Sequence, residues 1–151
     1  MHEQTSELVA IITTIQSPTS CVQRLHDALA QCGGRLIAVG DKKGPASFEL
    51  PRTTFLSLAD QQQLPFAMAR TLPVGHYARK NLGYLQAIAD GAPVIYETDD
   101  DNAPNEQWQP RQRQALARRV QADSWVNVYR MLSDRWIWQR GYPLQRLHDA
   151  Q

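Results

Sequence analysis

Three consecutive carboxylates, Asp99-Asp100-Asp101, close a short apolar, β-branched run, Pro93-Val94-Ile95-Tyr96-Glu97, and lead into Asn102. Adjacent carboxylates repel one another, so a strand that delivers three of them to a site edge makes best sense beside a cation. Hard divalent ions such as Mg²⁺ and Mn²⁺ take oxygen ligands, commonly with only one or two from protein and with phosphate and water completing the shell. The Asp-x-Asp spacing of Asp99 and Asp101 suits that use, although an ordinary solvated turn is also rich in Asp. Two more polar groups follow apolar runs: Thr13-Thr14-Ile15-Gln16 and Asp41-Lys42-Lys43. A cation pair, Arg79-Lys80, stands near the start of a predicted helix, where unpaired backbone N–H groups and the positive end of the helix dipole favour a phosphate or diphosphate. Its plain alternative is a solvated helix surface.

The elements that would position these groups are legible in the same letters. Leu8 to Ile15 is a continuous apolar run of strand length, as expected for a strand covered on both faces. Ser17-Pro18-Thr19 supplies helix-start chemistry, and Val22, Leu25 and Leu29 recur at helical spacing until Cys32-Gly33-Gly34 stops the helix. Arg35 to Gly40 reads as the second strand, Thr53 to Leu56 as a short third, and Ser57 as the cap of a short helix carrying Asp60 to Leu64. A helix is predicted over about His76 to Asp90, with Tyr77, Asn81, Tyr84, Leu85 and Ile88 sharing a face and Gly91 as its stop. Pro93 to Glu97 is the next strand. Toward the C-terminus, 112–121 fits helix or strand equally, Trp125-Val126-Asn127-Val128-Tyr129 reads as a strand, and Trp136-Ile137-Trp138 precedes a Gly141-Tyr142-Pro143 turn.

Alternating strands and helices of this kind predict an α/β layer sandwich with strand–helix–strand crossovers. In an open parallel sheet, ligands bind beyond the carboxyl ends of the strands, where the strand order reverses. A 3-2-1-4 order would set the threonines, Asp41 and the Asp99–Asp101 cluster side by side.

Other chemistries fit less well. A calcium-binding EF-hand counted from Asp99 would put Ala103, Pro104 and Pro110 where an oxygen ligand, Gly and Glu are required. A phosphoaspartate enzyme would need its acid at the first strand, which carries threonines instead. A zinc site would need close Cys or His pairs, and His2, His26, His76 and His148 are scattered. Cys21 and Cys32 lie about three helical turns apart on one face, too far to bridge, and read as reduced thiols.

The 151-residue chain carries 16 Lys and Arg against 15 Asp and Glu, a formal charge of +1. Such a chain has no field to steer a polyanion, so bulk-charge binding to nucleic acid is not expected. The charge is unevenly placed: eight basic and eleven acidic side chains lie between Met1 and Pro104, a net of −3, and eight arginines against four acids follow, a net of +4. No run approaches the roughly 18 consecutive apolar residues of a membrane helix, and the N-terminus lacks the basic start of a secretory signal. The expectation is a cytoplasmic protein without a membrane span.

Four separated blocks carry a family likeness. Ile12-Thr13-Thr14-Ile15-Gln16-Ser17-Pro18-Thr19, Val39-Gly40-Asp41-Lys42-Lys43, Tyr77-Ala78-Arg79-Lys80-Asn81-Leu82-Gly83-Tyr84 and Ile95-Tyr96-Glu97-Thr98-Asp99-Asp100-Asp101-Asn102 resemble, in order and spacing, the STELLO-like family of glycosyltransferases. The resemblance implies a glycosyltransferase A-type fold, small or truncated: a Rossmann-like, mostly parallel sheet flanked by helices that holds a nucleotide-diphosphate sugar and Mn²⁺ or Mg²⁺. Carried over by position, Asp99 and Asp101 are its metal ligands and Asp100 touches ribose or sugar. Asp41 contacts base or ribose, Thr14 and Gln16 meet the base, and Arg79, with Lys80 beside it, serves the diphosphate.

The chain is read as a single domain over 1–151, with a nucleotide-sugar-binding core over 7–104 and a short Arg- and Trp-rich closure over 105–151. About 49 residues follow Asn102, so the expectation is a donor half whose acceptor half is missing or reduced. Glu106, Asp123, Asp134 and Asp149 sit in no motif for proton abstraction, and no catalytic base is assigned. The function expected is a metal-dependent glycosyltransferase. The alternative is a non-catalytic nucleotide-sugar and metal-binding module completed by a partner subunit, or by a second copy of the chain, through its aromatic, Arg-rich end.

Overall fold

The computed structural model describes residues 8–111, 114, 116–117, 126–137, 140–141 and 143–146. The chain divides into two compact units, Met1–Arg111 and Gln112–Gln151.

In the first unit the strands β1 (Leu8–Thr14), β2 (Arg35–Gly40), β3 (Thr53–Leu56) and β4 (Val94–Glu97) form one sheet in the order β3-β2-β1-β4, with every pairing parallel. Helices α1 (Ser20–Gln31), α2 (Leu58–Gln63), α3 (Ala67–Thr71) and α4 (Lys80–Ala89) connect them. This is the Rossmann-like α/β sheet that the sequence predicts, in the order that sets the three polar strand ends side by side, consistent with a small glycosyltransferase fold.

β1 lies in the interior of the sheet because both of its faces are apolar. Its residues alternate between two cores, as strand geometry requires. Leu8, Ala10 and Ile12 join Val22, Leu25 and Leu29 of α1 on one side, while Val9 and Ile11 meet Ala87 of α4 on the other, with Ile37 and Val39 of β2. Beyond β4, Trp108 returns to the α1 side and meets Tyr96 edge-on, with ring centroids 5.4 Å apart. Arg24 of α1 holds this return through a 2.9 Å bond to the Pro104 carbonyl.

The ends of the elements follow their local chemistry. Thr19 caps α1 by accepting from the Val22 N–H. Ser57 and Asp60 form a reciprocal capping box on α2. Gly91 takes the left-handed conformation, φ +78°, that ends α4.

Helix α4 departs from expectation in two ways. Its first turn, Tyr77–Arg79, is a 3₁₀ turn capped by the His76 ring, whose Nδ1 accepts from the Ala78 N–H. Only part of the predicted stripe packs: Tyr84 lies against the core, but Tyr77 and Ile88 are each 61% exposed, and the buried positions are Lys80, Leu82, Gly83 and Ala87. At Gly83 the helix lies so close to the sheet that no side chain fits between them. A Cβ built on Gly83 would stand 2.6 Å from Ile11 Cγ2 and 2.9 Å from Val39 Cγ2.

In the second unit the predicted strand at 125–129 is replaced, over its described part, by a 3₁₀ turn at Val128–Met131. The Asn127 side chain accepts from the Tyr129 N–H at 3.1 Å, the local closure by which Asn favours turns over strands. Its Nδ2 donates to the Ile137 carbonyl at 3.0 Å, and the Arg130 guanidinium lies 5.9 Å from the Trp136 ring centre. Most of 112–121, together with Trp125, Trp138 and Tyr142, lies outside the described residues.

Candidate functional site

The strand order brings the carboxyl ends of β2, β1 and β4 together, and each end offers polar groups. Thr14, the last residue of β1, donates from Oγ1 to Asp100 Oδ2 at 2.6 Å, and the same oxygen accepts from the Gln16 N–H at 3.1 Å. Thr19 adds a second tie, donating to the Asp100 carbonyl at 2.9 Å. The acidic loop is therefore pinned to the end of β1 through the side chain of Asp100 and to the start of α1 through its backbone.

At the end of β2, the Asp41 carboxylate accepts from the backbone N–H groups of Lys42 at 2.7 Å, Gly75 at 2.8 Å and His76 at 3.1 Å. Asp41 thus draws the segment before α4 down onto the sheet edge. Between these groups lies an open cavity of about 480 Å³ whose lining includes Thr14, Asp41, Lys42, Lys43, Tyr77 and Asp100.

The far side of the acidic loop rests on Lys80. Its side chain is 2% exposed, and Nζ donates to Asp99 Oδ1 at 2.6 Å, to the Thr98 carbonyl at 2.8 Å and to the Tyr77 hydroxyl at 3.1 Å, with Glu97 Oε1 at 3.6 Å. Burial opposes the charge on Lys80, but the hydrogen bonds to Asp99 and Tyr77 and the Asp99 charge outweigh it and hold the ammonium above its ordinary pKa. Tyr77 donates in turn to Glu97 at 2.7 Å. Hydrogen bonds from Tyr77 and Tyr84 keep the Glu97 carboxyl below the usual range, while burial and the Glu97 carboxylate push the Tyr84 hydroxyl up to about 12.

Of the residues singled out from the sequence, the structure gathers Thr14, Asp41 and Asp100 at one cavity. Gln16 is exposed just past the end of β1. Asp99 is bound to Lys80, and Asp101 is exposed in the turn that the Asn102 N–H closes onto the Asp99 carbonyl at 3.2 Å. Lys80 faces inward to that loop. Arg79 is not at this cavity: it is 3% exposed, donates from Nε to Gln61 Oε1 at 2.7 Å and from Nη1 to the Leu72 carbonyl at 3.1 Å, and borders a second cavity between α2 and α3.

The structure adds Thr19, Gln61 and Tyr77 to the residues that shape the region. Thr19 is marked in the sequence only as a helix start. Gln61 carries no signal, since one polar residue in a short helix resembles any solvated position.

No three His, Cys, Asp or Glu side chains among the described residues come close enough to hold a metal ion by themselves. The carboxylates are nonetheless the hard oxygen donors that Mg²⁺ and Mn²⁺ take. Asp101 and the second oxygen of Asp99 have no partner among the described residues. Such a set fits an ion whose shell is completed by a diphosphate.

Over 90 residues, 60% of its length, the chain is 32% identical to the protein named "Probable glycosyltransferase STELLO1" of Arabidopsis thaliana. Over that stretch the chain is similar to a STELLO protein. It is also 26% identical to "Probable glycosyltransferase STELLO2" of the same plant over an alignment of 156 positions that takes in 91% of the chain. The chain spans 11% and 19% of the lengths of these two curated relatives. No family model matches it.

Proposed function

We propose that the chain is the donor-binding part of a metal-dependent glycosyltransferase whose substrate is a nucleotide-diphosphate sugar. The observation that carries this reading is the meeting of Thr14, Asp41 and Asp100, from three separate strand ends, at one cavity. The likeness to two proteins named as glycosyltransferases supports it.

In this reading the base and ribose lie against Thr14, Gln16 and Asp41, the ribose or sugar reaches Asp100, and the diphosphate runs past Lys42 and Lys43. Asp99 and Asp101 hold Mn²⁺ or Mg²⁺, which when bound neutralises charge on the diphosphate. Breaking the sugar–phosphate bond leaves that charge on the diphosphate, and the lysines stabilise it best if they are already in place before it develops. The Asp41 carboxylate fixes the backbone that carries these lysines by accepting from the Lys42 N–H.

Titration calorimetry with uridine- and guanosine-diphosphate sugars, with and without Mn²⁺, tests the reading. Metal-dependent binding is expected, and Asp101→Ala, which takes no partner from Lys80, should weaken it while melting stays unchanged. Asp99→Ala should weaken it too but also lower the melting temperature, because it removes the carboxylate that faces the buried ammonium of Lys80. Failure of every donor to bind with metal present overturns the proposal. Binding without transfer or donor hydrolysis would favour instead a donor-binding module completed by a partner subunit.

A further inference from the structure

Arg79 is a buried cation that pairs with no carboxylate among the described residues. Its neutral partners connect it to the other end of the candidate site. Nε donates to Gln61 Oε1, and Gln61, itself fully buried, donates from Nε2 to the carbonyls of Gly40 and Leu56, each at 2.7 Å. Gly40 ends β2 and is bonded covalently to Asp41; Leu56 ends β3. Asp41 then accepts from Gly75 and His76, a few residues before Arg79, so the chain closes a ring from Arg79 through Gln61, Gly40 and Asp41 back to the start of α4.

From this ring we infer that Arg79 is a positioning residue for the nucleoside end of the site, acting through Gln61 on Asp41, and not a ligand of the diphosphate. Three observations carry it. The guanidinium is 3% exposed and borders the cavity between α2 and α3, whereas Asp41, Lys42 and Lys43 border the other one. Its hydrogen bonds fix the geometry of a planar, forked donor, which a phosphate ligand would have to break. Gln61 has no exposed surface through which it could serve a ligand, so its three bonds act on the framework alone. A buried amide with both ends satisfied specifies one arrangement of its neighbours, since any other leaves a buried polar group unpaired.

The inference rests on the proposed nucleotide site, and the two can fail separately. The probes are uridine, guanosine and their diphosphates, titrated with Mn²⁺ present against the wild-type chain, Arg79→Met and Gln61→Glu. The second variant is isosteric, keeps the cation and an acceptor for it, and replaces the donor to Gly40 and Leu56 by a carboxylate oxygen that repels their carbonyls. Thermal melting confirms that each variant is folded, and Gln61→Glu serves alone if Arg79→Met is not.

A positioning role predicts that both variants lose affinity for the nucleoside and for its diphosphate by the same factor, about tenfold, the usual scale for removing a supporting contact. A loss confined to the diphosphate in Arg79→Met, with Gln61→Glu at wild-type affinity, would make Arg79 a phosphate ligand and overturn the inference. Wild-type affinity in Gln61→Glu for both probes overturns it as well. If the wild-type chain binds neither probe, it is the nucleotide site that fails.

Discussion

Asp99, Asp100 and Asp101 are adjacent in the chain, yet each meets a different environment. Asp99 answers the buried ammonium of Lys80, Asp100 is fixed by Thr14 and Thr19, and Asp101 is exposed. Repulsion among three carboxylates is relieved mainly by the buried cation, so only part of the cluster's charge is left for an ion from solution. Lys80 also orders the phenol groups around it through Tyr77 and Glu97. Because Tyr84 holds its proton up to about 12 in the folded chain, against an ordinary value near 10, the folded state binds that proton more tightly than the unfolded one. The stability it contributes is complete below pH 10 and is lost as pH rises toward 12. Melting curves across that range should fall less steeply for Tyr84→Phe than for the wild type, and equal slopes would remove Tyr84 from the account.

Each element positions a site residue by a contact that can be altered singly. The capping box on α2 sets the entry to the helix that carries Gln61; Ser57→Ala should lower stability by about 1 kcal/mol, measured by denaturant unfolding. In α4, Gly83 lies under the helix where it crosses Ile11 and Val39. Alanine would gain up to about 1 kcal/mol in helix propensity there but would overfill a close contact, which costs about 1–3 kcal/mol. The nearest atom is a methyl of β-branched Ile11, which is stiff at χ1, so the loss wins. Gly83→Ala is expected to melt lower than the wild type, and a higher melting temperature would show that α4 can rise off the sheet freely.

The strands and α1 were readable because their patterns are local. β1 and β2 are apolar without interruption, and Val22, Leu25 and Leu29 keep strict helical spacing. α4 was legible as a helix but not as a packed surface, since a glycine carries no hydrophobic signal and Lys80 reads as a surface residue until its four oxygen neighbours are seen together. The same holds for Arg79, whose position beside Lys80 suggested a shared phosphate and whose actual partners come from α2 and the end of α3. Asn127 misleads in the opposite direction, because its side chain closes a turn inside a strand-like run.

For the whole molecule, the described residues contain no helix long and apolar enough to cross a membrane, and the formal charge of +1 offers no general attraction for polyanions. Recognition must then come from the local arrangement at the strand ends, and ligand binding should appear as stabilisation of the fold. A nucleotide diphosphate supplied with Mn²⁺ at about a hundred times its dissociation constant adds about 2.7 kcal/mol to stability. A chelator should cancel that gain and leave the melting temperature of the chain without nucleotide unchanged. A chelator-induced drop in the absence of nucleotide would mean that an ion holds the fold itself.

The missing methyl group at Gly83 has a mechanical consequence. Lys80 precedes it by one helical turn, and the height of that turn above β1 is set by how closely the backbone at Gly83 can seat itself on Ile11. A helix lifted there acts as a lever on its own first turn, stretching the 2.6 Å link from Lys80 to the acidic loop. The tolerance of the site is therefore machined into a contact that touches no ligand, and a substitution in the packing can present itself as a defect in binding.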